Sequence, residues 1–206
     1  MSQGKICLAI AILALAASAR TAPAQNLLTN PDFDSPAGLD GWTTHSGSTV
    51  LGDDSGSCTT SGVVDGLSGI SGGEQYFWMS SQQCILVDPG ANPEMFLAGM
   101  YRTTGNVFAR IYLQRFSDSD CSTGIGFTGM IAGDSSPEWN RIAGTLEIAS
   151  GTVAVRLMAD NNVAILGAPV FTVQWDRFYL GLAPEIFLDD FEFESGSACH
   201  WSSIVD

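Results

Sequence analysis

The sequence contains few basic residues and few histidines. Its 206 residues include eight Lys and Arg against 22 Asp and Glu, which gives a formal net charge of −14 at pH 7. Binding to nucleic acid depends on Lys and Arg, so a chain this acidic is expected to repel that partner and anionic lipid alike. Nucleophilic triads usually need a histidine base, and the only histidines are His45 and His200. The composition therefore argues against a nucleic-acid partner and gives little support to triad catalysis.

Long apolar runs are absent after the N-terminus. Met1–Lys5 carries one positive charge, Ile6–Ala17 is apolar, and the small, polar residues that follow contain Ala22-Pro23-Ala24. These are the three parts of a secretory signal peptide, and the apolar part is shorter than the ~20 residues of a membrane span. We expect a signal peptide at residues 1–24, with Ala17-Ser18-Ala19 as the alternative cleavage site. The product would be secreted, either extracellular or periplasmic, with a cell-surface association left open.

Lysine would be missing altogether from the mature chain. Cleavage removes Lys5 and Arg20, which leaves six arginines against 22 acidic residues and a formal charge of −16. Schiff-base chemistry needs a lysine amine and is therefore excluded. A glycosidase needs only two carboxylates, so the sequence leaves that class open.

A sustained apolar period of 3.6 residues is also missing, so the pattern predicts no helix. Turn residues recur about every ten residues between short runs rich in Val, Ile, Phe and Tyr, which is typical of a sandwich or barrel. We predict strands at Gln75–Met79, Cys84–Val87, Met95–Tyr101, Val107–Phe116, Trp139–Ile148, Gly151–Ala159 and Val170–Leu180, a turn at Asn161-Asn162 and a loop over Asp118–Gly133. Apolar sheet faces must bury each other, so we expect an all-β, two-sheet antiparallel β-sandwich.

The two faces of the Val107–Phe116 strand differ in chemistry. One face is mainly small and aliphatic, which predicts the core side: Val107, Ala109, Ile111, Leu113 and Arg115. The other mixes aromatic and hydrogen-bonding groups, as an exposed binding face would: Phe108, Arg110, Tyr112, Gln114 and Phe116.

Two segments at opposite ends of the chain resemble the carbohydrate-binding modules (CenC-type) of secreted bacterial proteins. The run Asn26-Leu27-Leu28-Thr29-Asn30-Pro31-Asp32-Phe33-Asp34, followed by Gly41-Trp42, is similar to the opening N-L-L-x-N-G-D-F-E and G-W of those modules. Phe171–Leu180 is similar to their closing strand, [aromatic]-D-D-V-x-L. The resemblance covers residues 26–181 and implies a β-jelly-roll over residues 25–182, followed by a C-terminal tail at 183–206.

The cysteine count and the resemblance together bear on disulfides. Four cysteines remain after signal removal, an even number that suggests two bridges with three possible pairings. Similar jelly-rolls have a Q-C-[apolar]-x-V-x-P-G strand and a later C-S-x-G loop, matched here by Gln83–Gly90 and Cys121–Gly124. The resemblance thus implies a Cys84–Cys121 bridge, which leaves Cys58 with Cys199.

The resemblance also implies a structural calcium ion where the first and last strands meet. The matching positions are Asp34 and Asp176, with Asp32 as a weaker addition, and calcium prefers such oxygen ligands. Here Asp34 stands where the family more often has Glu, and Arg177 where it often has a second Asp. An ion pair between Asp176 and Arg177 is the alternative.

The function that the resemblance implies is non-catalytic binding of a polysaccharide or glycan. Sugar sites combine aromatic rings with planar polar groups, so the candidates are Tyr112, Arg110 and Gln114, with Tyr101, Arg102 and Trp78 expected nearby. The core is the expected place for Trp42 and Trp139, while Trp175 could lie in the core or stack on a ligand. A structural or adhesive extracellular protein is the alternative function, and a small jelly-roll hydrolase or lyase the third.

Overall fold

The computed structural model describes residues 25–33, 38–44, 49–51, 63–67, 69–71, 74–105, 107–163 and 171–183. The predicted signal peptide, nearly all of the predicted tail, and the candidates Asp34, Cys58 and Cys199 lie outside the described residues. None of the described segments forms a helix long and apolar enough to cross a membrane.

The described chain is built from thirteen β-strands. They are β1 (Trp42–Thr44), β2 (Thr49–Leu51), β3 (Val63–Leu67), β4 (Gly69–Ser71), β5 (Glu74–Ser81), β6 (Ile85–Leu86), β7 (Glu94–Thr103), β8 (Phe108–Phe116), β9 (Gly124–Phe127), β10 (Ile131–Gly133), β11 (Asn140–Glu147), β12 (Ala154–Val163) and β13 (Thr172–Gly181).

These strands form two antiparallel sheets. Sheet A has the order β1-β5-β12-β8-β10, with β4 on β5, β6 on β12 and β9 on β8, whereas sheet B has the order β11-β7-β13-β3-β2. Strands that are neighbours in a sheet are often far apart in the sequence, as expected when a chain alternates between the two layers of a sandwich. The predicted all-β, two-sheet jelly-roll sandwich is confirmed.

The core lies between the sheets and follows the alternation of side chains along each strand. Ala109, Ile111 and Leu113 on β8 are fully buried, and β12 places Leu157 opposite Leu113 and Ala159 opposite Ile111. Each buried Leu or Ile contributes roughly 1.5–3 kcal/mol relative to an exposed one. The predicted core face of this strand is therefore confirmed.

Aromatic rings fill the region where the first segment, residues 25–33, and β1 meet β13. The Phe178 ring stacks on Trp42 at 5.1 Å and on Trp175 at 5.3 Å between centroids. Trp42 therefore lies in the core, as predicted, and Trp175 is fully buried. Gly99 on β7 leaves room for this stack, because a Cβ there would lie 2.9 Å from the Phe178 ring.

Two predictions about connecting segments are wrong. The predicted loop Asp118–Gly133 contains β9 and β10, which pair with β8 at the edge of sheet A. The predicted turn at Asn161-Asn162 is part of β12. Asn161 is buried and satisfied within the sandwich: its Oδ1 accepts a bond from Trp175 Nε1 at 3.0 Å, and its Nδ2 donates to the Phe108 carbonyl at 3.2 Å.

Cys84 and Cys121 form a disulfide, which is the pairing that the resemblance implies. Their Cα atoms are 5.9 Å apart, and 37 residues separate them in the sequence. The bridge packs with Phe116 and Ala154 in a small second cluster. It thereby ties the segment that leads into β9 to the segment before β6.

Candidate functional site

The outer face of sheet A brings polar and aromatic side chains together across three adjacent strands. Asp160 on β12 lies opposite Arg110 on β8 and Trp78 on β5, so these three form one row. The row spans two strand spacings, or about 10 Å. We call the following set the sheet A face: Tyr76, Trp78, Phe108, Arg110, Tyr112, Gln114, Phe127, Arg156, Met158 and Asp160.

An ion pair and a phenol hydrogen bond meet at the centre of the sheet A face. Arg110 Nε donates to Asp160 Oδ1 at 2.6 Å, and Tyr112 Oη donates to Asp160 Oδ2 at 2.9 Å. Both carboxylate oxygens therefore have a partner. The Arg110 and Asp160 side chains remain 27% and 14% exposed, so hydroxyl groups of a ligand can reach this cluster from solvent.

Tyr112 is buried within this cluster, so its ring is not exposed for stacking on a sugar. Its pKa is raised, first by burial, then by the charge of Asp160 and the hydrogen bond to it, while Arg110 opposes the shift. The phenol therefore keeps its proton at neutral pH and remains a donor to Asp160.

Exposed aromatic rings border the polar cluster. Phe108 is 56% exposed and Phe127 is 50% exposed, although both are large apolar side chains. The Phe127 ring packs edge-on against Tyr112, with 5.5 Å between centroids, and Trp78 is half-buried in the same row as Asp160. Such rings can stack on the C–H faces of sugars. Phe127 is not among the ligand-binding residues predicted from the sequence, because it lies in the predicted loop.

The disulfide closes one end of the sheet A face. Arg156, opposite Gln114, places its guanidinium over the Phe116 ring at 5.4 Å and its Nη2 3.6 Å from Cys84 Sγ. The Nε of Arg156 is buried without a hydrogen-bond partner among the described residues. The Arg156 side chain is thus directed toward the disulfide.

Four of the six predicted ligand-binding residues lie on this face: Trp78, Arg110, Tyr112 and Gln114. Tyr101 and Arg102 do not, so the expectation that they lie near Tyr112 is wrong. They belong to β7, which is in sheet B.

The side chains of Tyr101 and Arg102, which are consecutive on β7, point to opposite sides of sheet B. Tyr101 is buried against Trp175 and donates to the Asp134 carbonyl at 2.6 Å. Arg102 lies on the outer side, where it contacts Gln174 through Nε and covers the Trp139 ring at 4.8 Å. Trp139 is only half-buried, so its predicted place in the core is wrong.

The candidate metal ligand Asp176 is fully buried beside Arg177. The Arg177 backbone N–H donates to Asp176 Oδ1 at 2.8 Å, and its Nε lies 3.9 Å from Oδ2. The described residues contain no group of three or more His, Cys, Asp or Glu side chains arranged to hold a metal. Three non-glycine residues near this junction have left-handed backbone conformations: Asn30, Phe33 and Arg177, with φ of 51°, 52° and 51°.

No family model and no curated protein matches this sequence. Solved structures do resemble it. The CBM22-1 xylan-binding domain of Paenibacillus barcinonensis Xyn10C is 12% identical with a TM-score of 0.50, over 77% of this chain and 95% of that domain. A structure from work on the promiscuous specificity of carbohydrate-binding modules of the β-sandwich superfamily is 13% identical with a TM-score of 0.51, over 78% of this chain and 63% of that one.

An enzyme also shares the architecture. An arabinose-bound α-L-arabinofuranosidase, MgGH51, is 16% identical with a TM-score of 0.52, over 76% of this chain but only 26% of the enzyme. At these identities the likeness is one of β-sandwich fold.

Proposed function

We propose that this chain is a secreted, non-catalytic carbohydrate-binding module that recognises a polysaccharide or glycan through the sheet A face. The observation that carries the proposal is the Arg110–Asp160–Tyr112 cluster with exposed Phe108 and Phe127 beside it. Sugar sites need such a combination of planar polar groups and accessible rings. The shared fold with carbohydrate-binding modules supports the proposal.

Each part of the cluster has a separate role in this proposal. Phe108 and Phe127 offer apolar surface to sugar rings, and the exposed parts of Arg110 and Asp160 donate to and accept from hydroxyl groups. Tyr112 acts indirectly, because its hydroxyl group holds the Asp160 carboxylate in place. Ligand contacts through partly exposed side chains of one sheet predict reversible binding.

The side chains on this face support binding over hydrolysis. Asp160 is the carboxylate at the centre of the sheet A face, and both its oxygens have partners. Hydrolysis of a glycosidic bond uses two carboxyl groups that face each other across the sugar. We therefore expect no release of reducing ends from any polysaccharide that the protein binds.

Substitution of Phe127 tests the proposal with a matched control on the same strand. The proteins are wild type, Phe127→Ala and Ile125→Ala, and affinity gel electrophoresis against soluble xylan and β-glucans measures retention. Ile125 is also exposed on β9, at 39%, so it controls for loss of apolar surface. We expect Phe127→Ala to lose roughly fivefold to tenfold in affinity, because an aromatic contact is worth about 0.5–1.5 kcal/mol beyond its area, while Ile125→Ala stays near wild type.

Equal loss in both variants would show that nonspecific apolar contacts of the β9 edge, and not ring stacking, retain the protein on the polysaccharide. Absence of retention on every polymer by the folded wild-type protein would overturn the proposal.

An adhesive or structural role is the second candidate, and one observation favours it. Ile125, Phe127 and Met130 are all exposed at the edge of sheet A that β9 and β10 form. Exposed apolar edges are places where other chains pair. Sedimentation at increasing protein concentration separates the two functions, because self-association that Ile125→Ala weakens would favour assembly over sugar binding.

We also propose that a calcium ion stabilises the junction of the first segment and β13. Asp176 and Asp34 would hold it, and its role there would be structural. The buried Asp176 carboxylate supports this proposal, because a buried charge needs compensation. Arg177 already supplies part of that compensation, so calcium would add to the ion pair.

A further inference from the structure

The cation at the centre of the sheet A face already has an anionic partner. Arg110 Nε contacts Asp160 Oδ1 at 2.6 Å, and Tyr112 holds the second oxygen at 2.9 Å. An arginine that binds a ligand carboxylate uses its two-pronged guanidinium edge. At this position an approaching carboxylate would meet the Asp160 charge beside that edge, whereas a neutral hydroxyl could pair with either group.

The other described cation on this face does not replace Arg110. Arg156 lies over the Phe116 ring, with its Nη2 against Cys84 Sγ and its Nε buried. The whole chain carries a formal charge of −14, so the surrounding field also repels anions. Asp160 is thus the group that decides whether Arg110 presents a net positive charge.

We propose that Asp160 is a specificity-determining residue that makes the sheet A face select uncharged glycans over uronate-bearing glycans. The inference rests on the proposed function of that face. Its physical basis is exclusion, since a binding site discriminates against a wrong ligand by placing a like charge against it. Removing the Asp160 charge should therefore create affinity for acidic polymers.

Charge removal at Asp160 tests this inference as a gain of binding. The proteins are wild type, Asp160→Asn, the double variant Arg110→Gln/Asp160→Asn, and Glu147→Gln. Glu147 is exposed on β11 of sheet B, so its variant changes net charge equally without touching the sheet A face. Isothermal titration measures binding to xylan and a neutral β-glucan, and to polygalacturonate and alginate, at low and moderate salt.

The wild type is expected to bind a neutral polymer and to show no measurable binding to polygalacturonate. Asp160→Asn should gain roughly tenfold or more in affinity for polygalacturonate, because a like-charge contact gives way to an arginine–carboxylate pair. The gain should fall with salt and disappear in the double variant, and Glu147→Gln should show none.

Three results would overturn the inference: no gain in folded Asp160→Asn, an equal gain in Glu147→Gln, or wild-type binding to polygalacturonate as tight as to neutral polymers. In the last case the proposed glycan-binding function stands while the selectivity fails. Wild type that binds neither class would overturn the proposed function and the selectivity with it, and an Arg110-dependent gain in Asp160→Asn would then show only that Asp160 masks the charge of Arg110. Should Asp160→Asn not fold by circular dichroism, competition between neutral and acidic polymers for the wild type decides the question.

Discussion

At the scale of single residues, Tyr112 shows what alternation along a strand can and cannot predict. The alternating pattern of β8 correctly placed Arg110, Tyr112 and Gln114 on one face. It could not show that Asp160 lies opposite Arg110, because the register between β8 and β12 depends on pairing across the chain. Nor could it show that Tyr112 is buried, since this burial comes in part from Phe127 on another strand.

The buried phenol predicts a loss of stability at alkaline pH. Folding raises the pKa of Tyr112 above the 10.0 of an exposed tyrosine, so the folded state holds its proton longer than the unfolded state. The stability that this provides is fully present below pH 10 and is lost as pH rises through the higher folded value. Urea unfolding of wild type and Tyr112→Phe from pH 8 to 11.5 measures it.

The stability difference between these two proteins should shrink above pH 10. Tyr101 also has a raised pKa, but it is present in both proteins and cancels in the comparison. A difference that stays constant with pH would contradict the assigned environment of Tyr112.

At the scale of elements, the β9–β10 edge shows where sequence patterns fail. β9 has four residues and β10 has three, too few for an alternating pattern to stand out from the Gly, Ser and Thr around them. These strands exist because β8 offers them an edge for pairing. The long strands β7, β8, β11 and β13 were predictable because each is a run of eight to ten residues, long enough to stand out between turn residues.

The Cys84–Cys121 bridge should stabilise the domain and hold the β9 edge beside the sheet A face. A cross-link that closes a loop with a separation of 37 residues is expected to contribute about 4 kcal/mol by restricting the unfolded chain. The double variant Cys84→Ser/Cys121→Ser should therefore lose about that much unfolding free energy in urea. Glycan affinity measured well below its melting temperature should also fall, because the segment before Phe127 is released.

Loss of stability without loss of affinity would show that β9 holds its place without the bridge. No loss of stability would contradict the assigned pairing. A thiol reductant provides the control, since it should destabilise wild type by about 4 kcal/mol more than it destabilises the variant, which lacks the Cys84–Cys121 bridge.

At the scale of the whole molecule, the sandwich was predictable because two apolar sheet faces have few ways to be buried. The sequence did not predict that β7 belongs to one sheet and β8 to the other, because the two strands are consecutive in the chain. For that reason Tyr101 and Arg102 were grouped with Tyr112 in the sequence but lie in the opposite layer. The junction of residues 25–33 with β13, where Asp176 is buried, belongs to the same scale.

Calcium should raise the melting temperature of the whole domain if Asp176 helps to bind the ion. Ligand binding to the folded state stabilises it by mass action, so we expect a rise of several degrees with millimolar calcium and reversal by chelator. Asp176→Asn should abolish the calcium effect, while the exposed-site variant Glu147→Gln should keep it. A wild-type melting temperature that is the same with calcium and with chelator would contradict the calcium proposal.

The most direct test of glycan binding by the sheet A face is to map where a glycan binds. Nitrogen-15 NMR spectra of the protein, titrated with an oligosaccharide of whichever polymer retains it, report on backbone amides and on the Trp78 and Arg110 side-chain N–H groups. We predict that shifts cluster on β5, β8, β9 and β12, with the largest changes around Arg110 and Phe127. Shifts confined to β7, β11 and β13 of sheet B, or an unchanged spectrum at saturating sugar, would contradict the claim that the sheet A face binds glycans.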